Sequence, residues 1–215
     1  CAKVPARAIM KEVTSGKTGS GDDNTAYVTC PSTHPTMTSC ACDRESCDGA
    51  YIQKVSGEDR CHAFNPSGQS GVKAKAICVV GTYTTSQVSG GKSGGGDDDT
   101  SRVTCPSGTT LTGCSCHSPW IKCENAHANG NECIAYNRGG GAGVYAKAQC
   151  VSGFQTTTHR RTGGHGTTNS NSACADDEYV VGCQCSSAWQ GCGGVSIEFY
   201  GVSLVEHLPA KMLLF

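Results

Sequence analysis

The sequence predicts an all-β protein built of three small disulfide-stapled antiparallel β-sandwich modules in a pseudo-threefold arrangement. Three observations carry that expectation: 17 cysteines in 215 residues, a cysteine spacing that repeats, and apolar residues that alternate with period two. Hydrophobic residues make up 37% and aromatics 6%, and Leu111 is the one leucine before residue 200. A chain so poor in large aliphatic residues cannot fill an ordinary core, so covalent staples must share the work. No run approaches 18 apolar residues, which excludes a membrane-spanning helix. The 17 basic and 18 acidic residues are dispersed, leaving no nucleic-acid footprint. The chain opens at Cys1 with neither methionine nor signal peptide, as expected of a mature secreted protein or an excised fragment.

The repeat is read from the cysteines. Stepping from Cys30, Cys40, Cys42, Cys47, Cys61 and Cys78 to Cys105, Cys114, Cys116, Cys123, Cys133 and Cys150 adds 75, 74, 74, 76, 72 and 72 residues. A further step of 69 reaches Cys174, Cys183, Cys185 and Cys192. The modules are therefore expected at 1–78, 79–150 and 151–200, the third incomplete. The same step predicts a cysteine at position 202, which is Val202, and another past the chain end. Residues 201–215 hold four of the five leucines and read as an atypical tail, either a splice or frame variant or a diverged strand. Cys1 occupies the last cysteine position of a unit. It either belongs to a preceding repeat or closes the third module into a ring.

Within a module, VKAKAIC and VYAKAQC place Val72, Ala74, Ala76, Cys78 and Val144, Ala146, Ala148, Cys150 on one face of a strand. That face is small, so the sheets should pack closely. YVTCP, RVTCP, LTGCSC and VVGCQC read as further short strands, with PSTHP, PSG, NPSGQSG and NRGGGAG as turns. The glycine-rich stretches KTGSGDDNTA and KSGGGDDDTS should be equivalent loops. No helical periodicity of ten residues precedes the tail.

Four kinds of residue invite a chemical reading. Asp22, Asp23 and Asp97, Asp98, Asp99 could offer carboxylates to calcium, but they lack alternate-residue spacing, and a solvated acidic loop explains them too. No other cofactor is expected. The histidines do not repeat, since His62 aligns with Ile134 and His117 with Asp43, so a surface role is expected of them. Gly91-Lys92-Ser93-Gly94-Gly95 matches the GxSxG pattern without the strand and helix that a nucleophile elbow needs. Trp120 and Trp189 each follow a C-x-C by four residues, placed either to stack on a sugar or to cover a local disulfide.

VTCPSGTTLTGCSCHSPW, CIAYNRGGGAGVYAKAQC and CHAFNPSGQSGVKAKAIC together resemble the Cys/His-rich C-terminal domain of proprotein convertase subtilisin/kexin type nine over roughly residues 1–200. The resemblance implies three β-sandwich modules with nested disulfides and a non-catalytic role in protein and cell-surface interaction. It departs where Val79 and Val151 replace the second cysteine of a Cys-Cys pair. Carried over, it implies the pairs Cys30–Cys78, Cys40–Cys61, Cys105–Cys150 and Cys114–Cys133. The added cysteines then make the local pairs Cys42–Cys47, Cys116–Cys123 and Cys185–Cys192.

The expected function is that of a secreted non-enzymatic binding or matrix protein presenting repeated loops to an extracellular protein, glycan or mineral surface. The alternative is a soluble recognition or carrier protein with a small-molecule pocket between modules. The cysteine arithmetic yields a test. In a closed ring Cys1 pairs with Cys174 and leaves Cys183 as the free thiol, so labelling under denaturing, non-reducing conditions should find one thiol. Three labelled thiols, at Cys1, Cys174 and Cys183, would mean a segment of a longer array.

Overall fold

The computed structural model describes residues 2–3, 10–21, 24–43, 47–65, 71–118, 123–137, 142–156, 174 and 181–182. Among these residues every regular element is a strand. No helix among them is long and apolar enough to cross a membrane. Cys183, Cys185, Cys192 and the 201–215 tail lie outside the described residues.

A sandwich forms from β2 (Met10–Thr14), β3 (Thr25–Thr29), β4 (Thr36–Cys42), β5 (Gly49–Val55), β6 (Glu58–Phe64) and β7 (Ala74–Val79). A second forms from β8 (Thr85–Ser89), β9 (Thr100–Thr104), β10 (Thr109–His117), β11 (Cys123–Asn129), β12 (Glu132–Asn137) and β13 (Tyr145–Ser152). In the first, β2-β7-β4 packs on β3-β6-β5; in the second, β8-β13-β10 packs on β9-β12-β11. Adding six to each strand number converts one into the other.

The cores are narrow for the reason the sequence indicates. Val72, Ala74, Ala76 and Cys78 are fully buried in the first, as are Val144, Ala146 and Cys150 in the second, with Ala148 nearly so. Their partners are mostly alanine and cystine, among them Ala50, Ala63 and Cys61, or Ala126, Ala135 and Cys133. Alanine buries little area, so the hydrophobic contribution per residue is small. The disulfides Cys30–Cys78 and Cys105–Cys150 close chain separations of 48 and 45 residues, a constraint worth on the order of 4 kcal/mol each. Cys40–Cys61 and Cys114–Cys133 cross the sandwich again, and Cys42–Cys47 and Cys116–Cys123 close local loops. These six are pairs that the family resemblance and the added cysteines imply.

The two sandwiches meet through small residues and hydroxyls. Thr112 Oγ1 donates to Thr38 O at 2.7 Å, and Thr38 Oγ1 donates to Val181 O at 2.8 Å. A Cβ on Gly113 would come within 2.9 Å of Thr38 O. Val79, Val151, Val181 and Phe154 form a separate apolar cluster, flanked by Met10 and Tyr83. The valines that follow Cys78 and Cys150 are therefore buried at this junction. Val181 brings a residue of the third sequence repeat into it.

The chain start also reaches the third repeat. β1 (Ala2–Lys3) pairs antiparallel with β14 (Gln155–Thr156), Ala2 opposite Thr156. Val79 pairs in the same sense with Met10, and Val151 with Thr85. Each time, the residue after a repeat's last cysteine meets the first strand of a repeat. β1 thus lies where the last strand of the third repeat is expected. Cys174 is disulfide-bonded, and Cys1 lies outside the described residues.

The glycine-rich loops hold their shape by one hydrogen-bond scheme with one exchanged part. In the first sandwich Ser15 N donates to Ala74 O, and Ala74 N donates to Ser15 Oγ at 2.9 Å, while that hydroxyl donates to Gly16 O at 2.7 Å. In the second, Gly90 N donates to Ala146 O, but the hydroxyl that accepts from Ala146 N at 2.8 Å and donates to Gly91 O at 2.6 Å belongs to Ser101. Ser101 stands where the first sandwich has Ala26. A side chain on Gly90 would meet both Ser101 Oγ and the Arg102 carbonyl oxygen at 2.6 Å, so the backbone as well as the serine requires glycine there.

Ser101 is 2% exposed, and Ser101→Ala should leave the Ala146 amide without its acceptor, at a cost of about 1–3 kcal/mol in urea unfolding with disulfides intact. Gly90→Ser alone should also destabilise, and because its Cβ presses on the Arg102 carbonyl whatever stands at position 101, the double variant should not recover the loss. Recovery of stability in the double variant would show that the Arg102 carbonyl does not bar a side chain at position 90.

Candidate functional site

β5 and β10 join the two sandwiches into one six-stranded sheet, β3-β6-β5-β10-β13-β8. The junction is the single pair His117↔Gly49. Gly49 has φ +138°, and a Cβ there would clash with Cys116 O and lie 2.9 Å from His117 Cα. Only glycine permits that approach.

Alternation along each strand sends cystine and alanine inward and the larger side chains to the outer face of this sheet. Register aligns them across strands. One row runs Tyr145, His117, Gly49, Phe64, Thr25; in the adjacent row Tyr51 lies opposite His62, and His62 opposite Tyr27. Because Gly49 has no side chain, Phe64 and His117 meet across it, their ring centroids 5.1 Å apart. Tyr51 stacks on Phe64 at 5.3 Å and meets the edge of His117 at 5.0 Å. Tyr27 lies 5.9 Å from His62, which is 6.5 Å from Tyr51. The result is a contiguous patch of five rings, with Tyr27 57% exposed at its outer end.

Two cations sit on the patch. Lys147 Nζ lies 4.9 Å from the Tyr51 centroid and 5.6 Å from that of Tyr145, and donates to Ser89 Oγ at 2.9 Å. Arg60 lies 5.4 Å over Tyr27 and 3.9 Å from Glu58. A cleft of about 180 Å³ opens beside Lys147, lined by Tyr51, Gln53, Gln87, Ser89 and Ser115 among others. Burial pushes the Lys147 ammonium below its ordinary range and the Tyr51 phenol above its own. Burial, with the Arg60 guanidinium adding to it, also holds the His62 imidazole down. Its Nε2 is buried with no hydrogen-bond partner.

The equivalent face of the second sandwich is chemically different. Arg102, Ile134 and His127 stand where the first has Tyr27, His62 and Tyr51, and the one stacked pair there is His127 with Tyr136 at 5.4 Å. The aromatic patch is therefore not shared by the two described sandwiches.

The residues singled out from sequence are dispersed. Asp97 and Asp98 are exposed on their loop, and Asp99 accepts from Gly96 N at 2.6 Å. No cluster of histidine, cysteine, aspartate or glutamate that could hold a metal occurs among the described residues. Asp22, Asp23, Trp120 and Trp189 lie outside them. Ser93 is nearly buried in its loop; its hydroxyl accepts from Val144 N at 2.9 Å and donates to Gly94 O. The aromatic patch is not visible in the sequence because its rings are spread from residue 27 to 117. Its available signal was a set of aromatic and histidine residues at outward positions of alternating strands.

No protein-family model matches the chain, and no curated protein is detectably similar to it.

The His62 environment predicts a pH dependence. An imidazole held below its unfolded value of about 6.5 takes up its proton later on acidification than the unfolded chain does. Its contribution is fully present above that value and is lost as pH falls from there through the folded value. The melting temperature of wild type should therefore fall across this window more steeply than that of His62→Asn. Parallel profiles would show that His62 titrates as an exposed histidine.

Proposed function

We propose that the chain is a secreted, non-enzymatic binding protein whose recognition surface is the outer face of the joined six-stranded sheet. The observation that carries this reading is the five-ring patch with Lys147 beside an open cleft. Aromatic surface beside a cation and convergent amide and hydroxyl groups is the composition of a recognition site, and none of these groups is needed to fill a core. Six disulfides among the described residues indicate folding in an oxidising compartment, which supports an extracellular location. The resemblance to a non-catalytic extracellular domain supports the absence of catalysis. The partner sought is a glycan, a matrix protein or a mineral surface. The cleft lies between the two sandwiches, so a small-molecule carrier is the second reading.

Binding of native protein to glycan and matrix arrays should drop about tenfold, or about 1.4 kcal/mol, in Tyr27→Ala and in Tyr51→Ala. Asp97→Asn and Asp98→Asn should leave it unchanged. Loss in the loop variants with retention in the ring variants would move recognition to the repeated loops. A small ligand that copurifies with native protein and is lost from Tyr51→Ala would favour the carrier.

A further inference from the structure

We propose that the cleft beside Lys147 takes an acidic sugar unit, its carboxylate or sulfate on the Lys147 ammonium and its ring against Tyr51. This rests on the reading of the joined sheet as a recognition face and adds the chemical class of the ligand. Lys147 is half-buried, yet no carboxylate among the described residues lies within ion-pair distance of it. The neighbouring acid, Asp59, is already held by Lys54 at 3.0 Å, by Thr85 Oγ1 at 3.1 Å and by Gln87 Nε2 at 3.4 Å. A partly desolvated ammonium whose side-chain contacts are two aromatic rings and one hydroxyl has its strongest remaining interaction to make with an anion.

The walls decide what carries the anion. Gln53 presents an amide, Gln87 keeps its amide oxygen while its nitrogen donates to Asp59, the Ser89 and Ser115 hydroxyls keep capacity beyond their bonds to Lys147, and Tyr51 offers an apolar ring to a sugar's C–H face. At about 180 Å³ the cleft is smaller than pockets that enclose drug-sized ligands, and suits one ring with its substituent. A nucleic acid is disfavoured because that binding needs a basic groove, whereas the chain carries net charge −1. The patch continues from Tyr51 through His62 to Tyr27 and Arg60. Three strand spacings of roughly 4.8 Å put β13, bearing Lys147, about 14 Å from β6, bearing Arg60. An oligosaccharide can therefore leave the cleft along the same face.

Calorimetry with wild-type protein would compare a sulfated tetrasaccharide, a uronate tetrasaccharide and a neutral tetrasaccharide. At least one acidic probe should bind tenfold or more tighter than the neutral one, and the pair separates sulfate from carboxylate recognition. Lys147→Met should remove that preference and Lys147→Arg should keep most of it, both at wild-type melting temperature and thiol count. Chemical-shift mapping on wild type provides a check that needs no variant: Tyr51 and Lys147 signals should move with the acidic probe and Tyr136 signals should not. Equal affinity for neutral and acidic probes, or shifts confined to other residues, would overturn the acidic-sugar assignment while leaving the recognition face standing. No saccharide binding, with array capture still lost in Tyr27→Ala, would overturn it too and assign the face to a protein or mineral partner.

Discussion

Each sandwich is held by cross-sheet disulfides between two faces of alanine and valine, and the narrow space this creates governs where every larger side chain can go. Cys30–Cys78 and Cys40–Cys61 span the first interior, and Cys105–Cys150 and Cys114–Cys133 the second. Among the described residues the largest side chain buried in the first core is Met37, and neither core contains an aromatic residue. Interiors are close-packed, so an aromatic ring could enter only by forcing the sheets apart against their cystines. Aromatic rings therefore lie outside the sandwich interiors, Phe154 and Tyr83 at the junction and Tyr27, Tyr51, His62, Phe64 and His117 on the outer face. There their apolar surface is available for binding.

The junction between sandwiches obeys the opposite requirement. It must bring two finished backbones together, and it does so with residues that lack bulk or satisfy a carbonyl. Gly49 lets β5 reach β10, Gly113 lets β10 approach Thr38, and the Thr38 and Thr112 hydroxyls bond carbonyls that would otherwise be buried without partners. Val79, Val151 and Val181 then occupy the remaining space with apolar surface. Val79 and Val151 each directly follow a cysteine that is paired across its own sandwich, Cys78 and Cys150. The covalent tie within each sandwich is thus followed at once by an apolar contact between them.

Much of this was legible in the sequence because it depends on local spacing. Period-two alternation at 72–78 and 144–150 located the inner faces, and the cysteine steps located equivalent strands. The acidic loops were legible as loops, but their chemistry was not: Ser93, which completes a GxSxG match, is a backbone clamp for Val144. The exchange of Ser15 for Ser101 could not be read, because it needs the knowledge that two positions separated in one repeat converge on one amide. The ring patch was invisible for the same reason. Its rows are set by cross-strand register and by Gly49, whose role follows from a close approach that no spacing encodes.

The two sandwiches also show which positions are free to change. Inward positions keep their character between repeats: Cys61 and Cys133, Ala63 and Ala135, Ala76 and Ala148 are equivalent pairs buried in both. Outward positions do not, and Tyr27, His62 and Tyr51 are answered by Arg102, Ile134 and His127. The cystine-filled interior does not rest on these side chains, although Ile134 is itself buried. Repeats with one scaffold can therefore acquire separate surfaces. Avidity through identical copies requires the same face on each repeat, a condition these two do not meet. What the repeat supplies instead is a second sandwich whose edge strand β10 completes the face begun by the first.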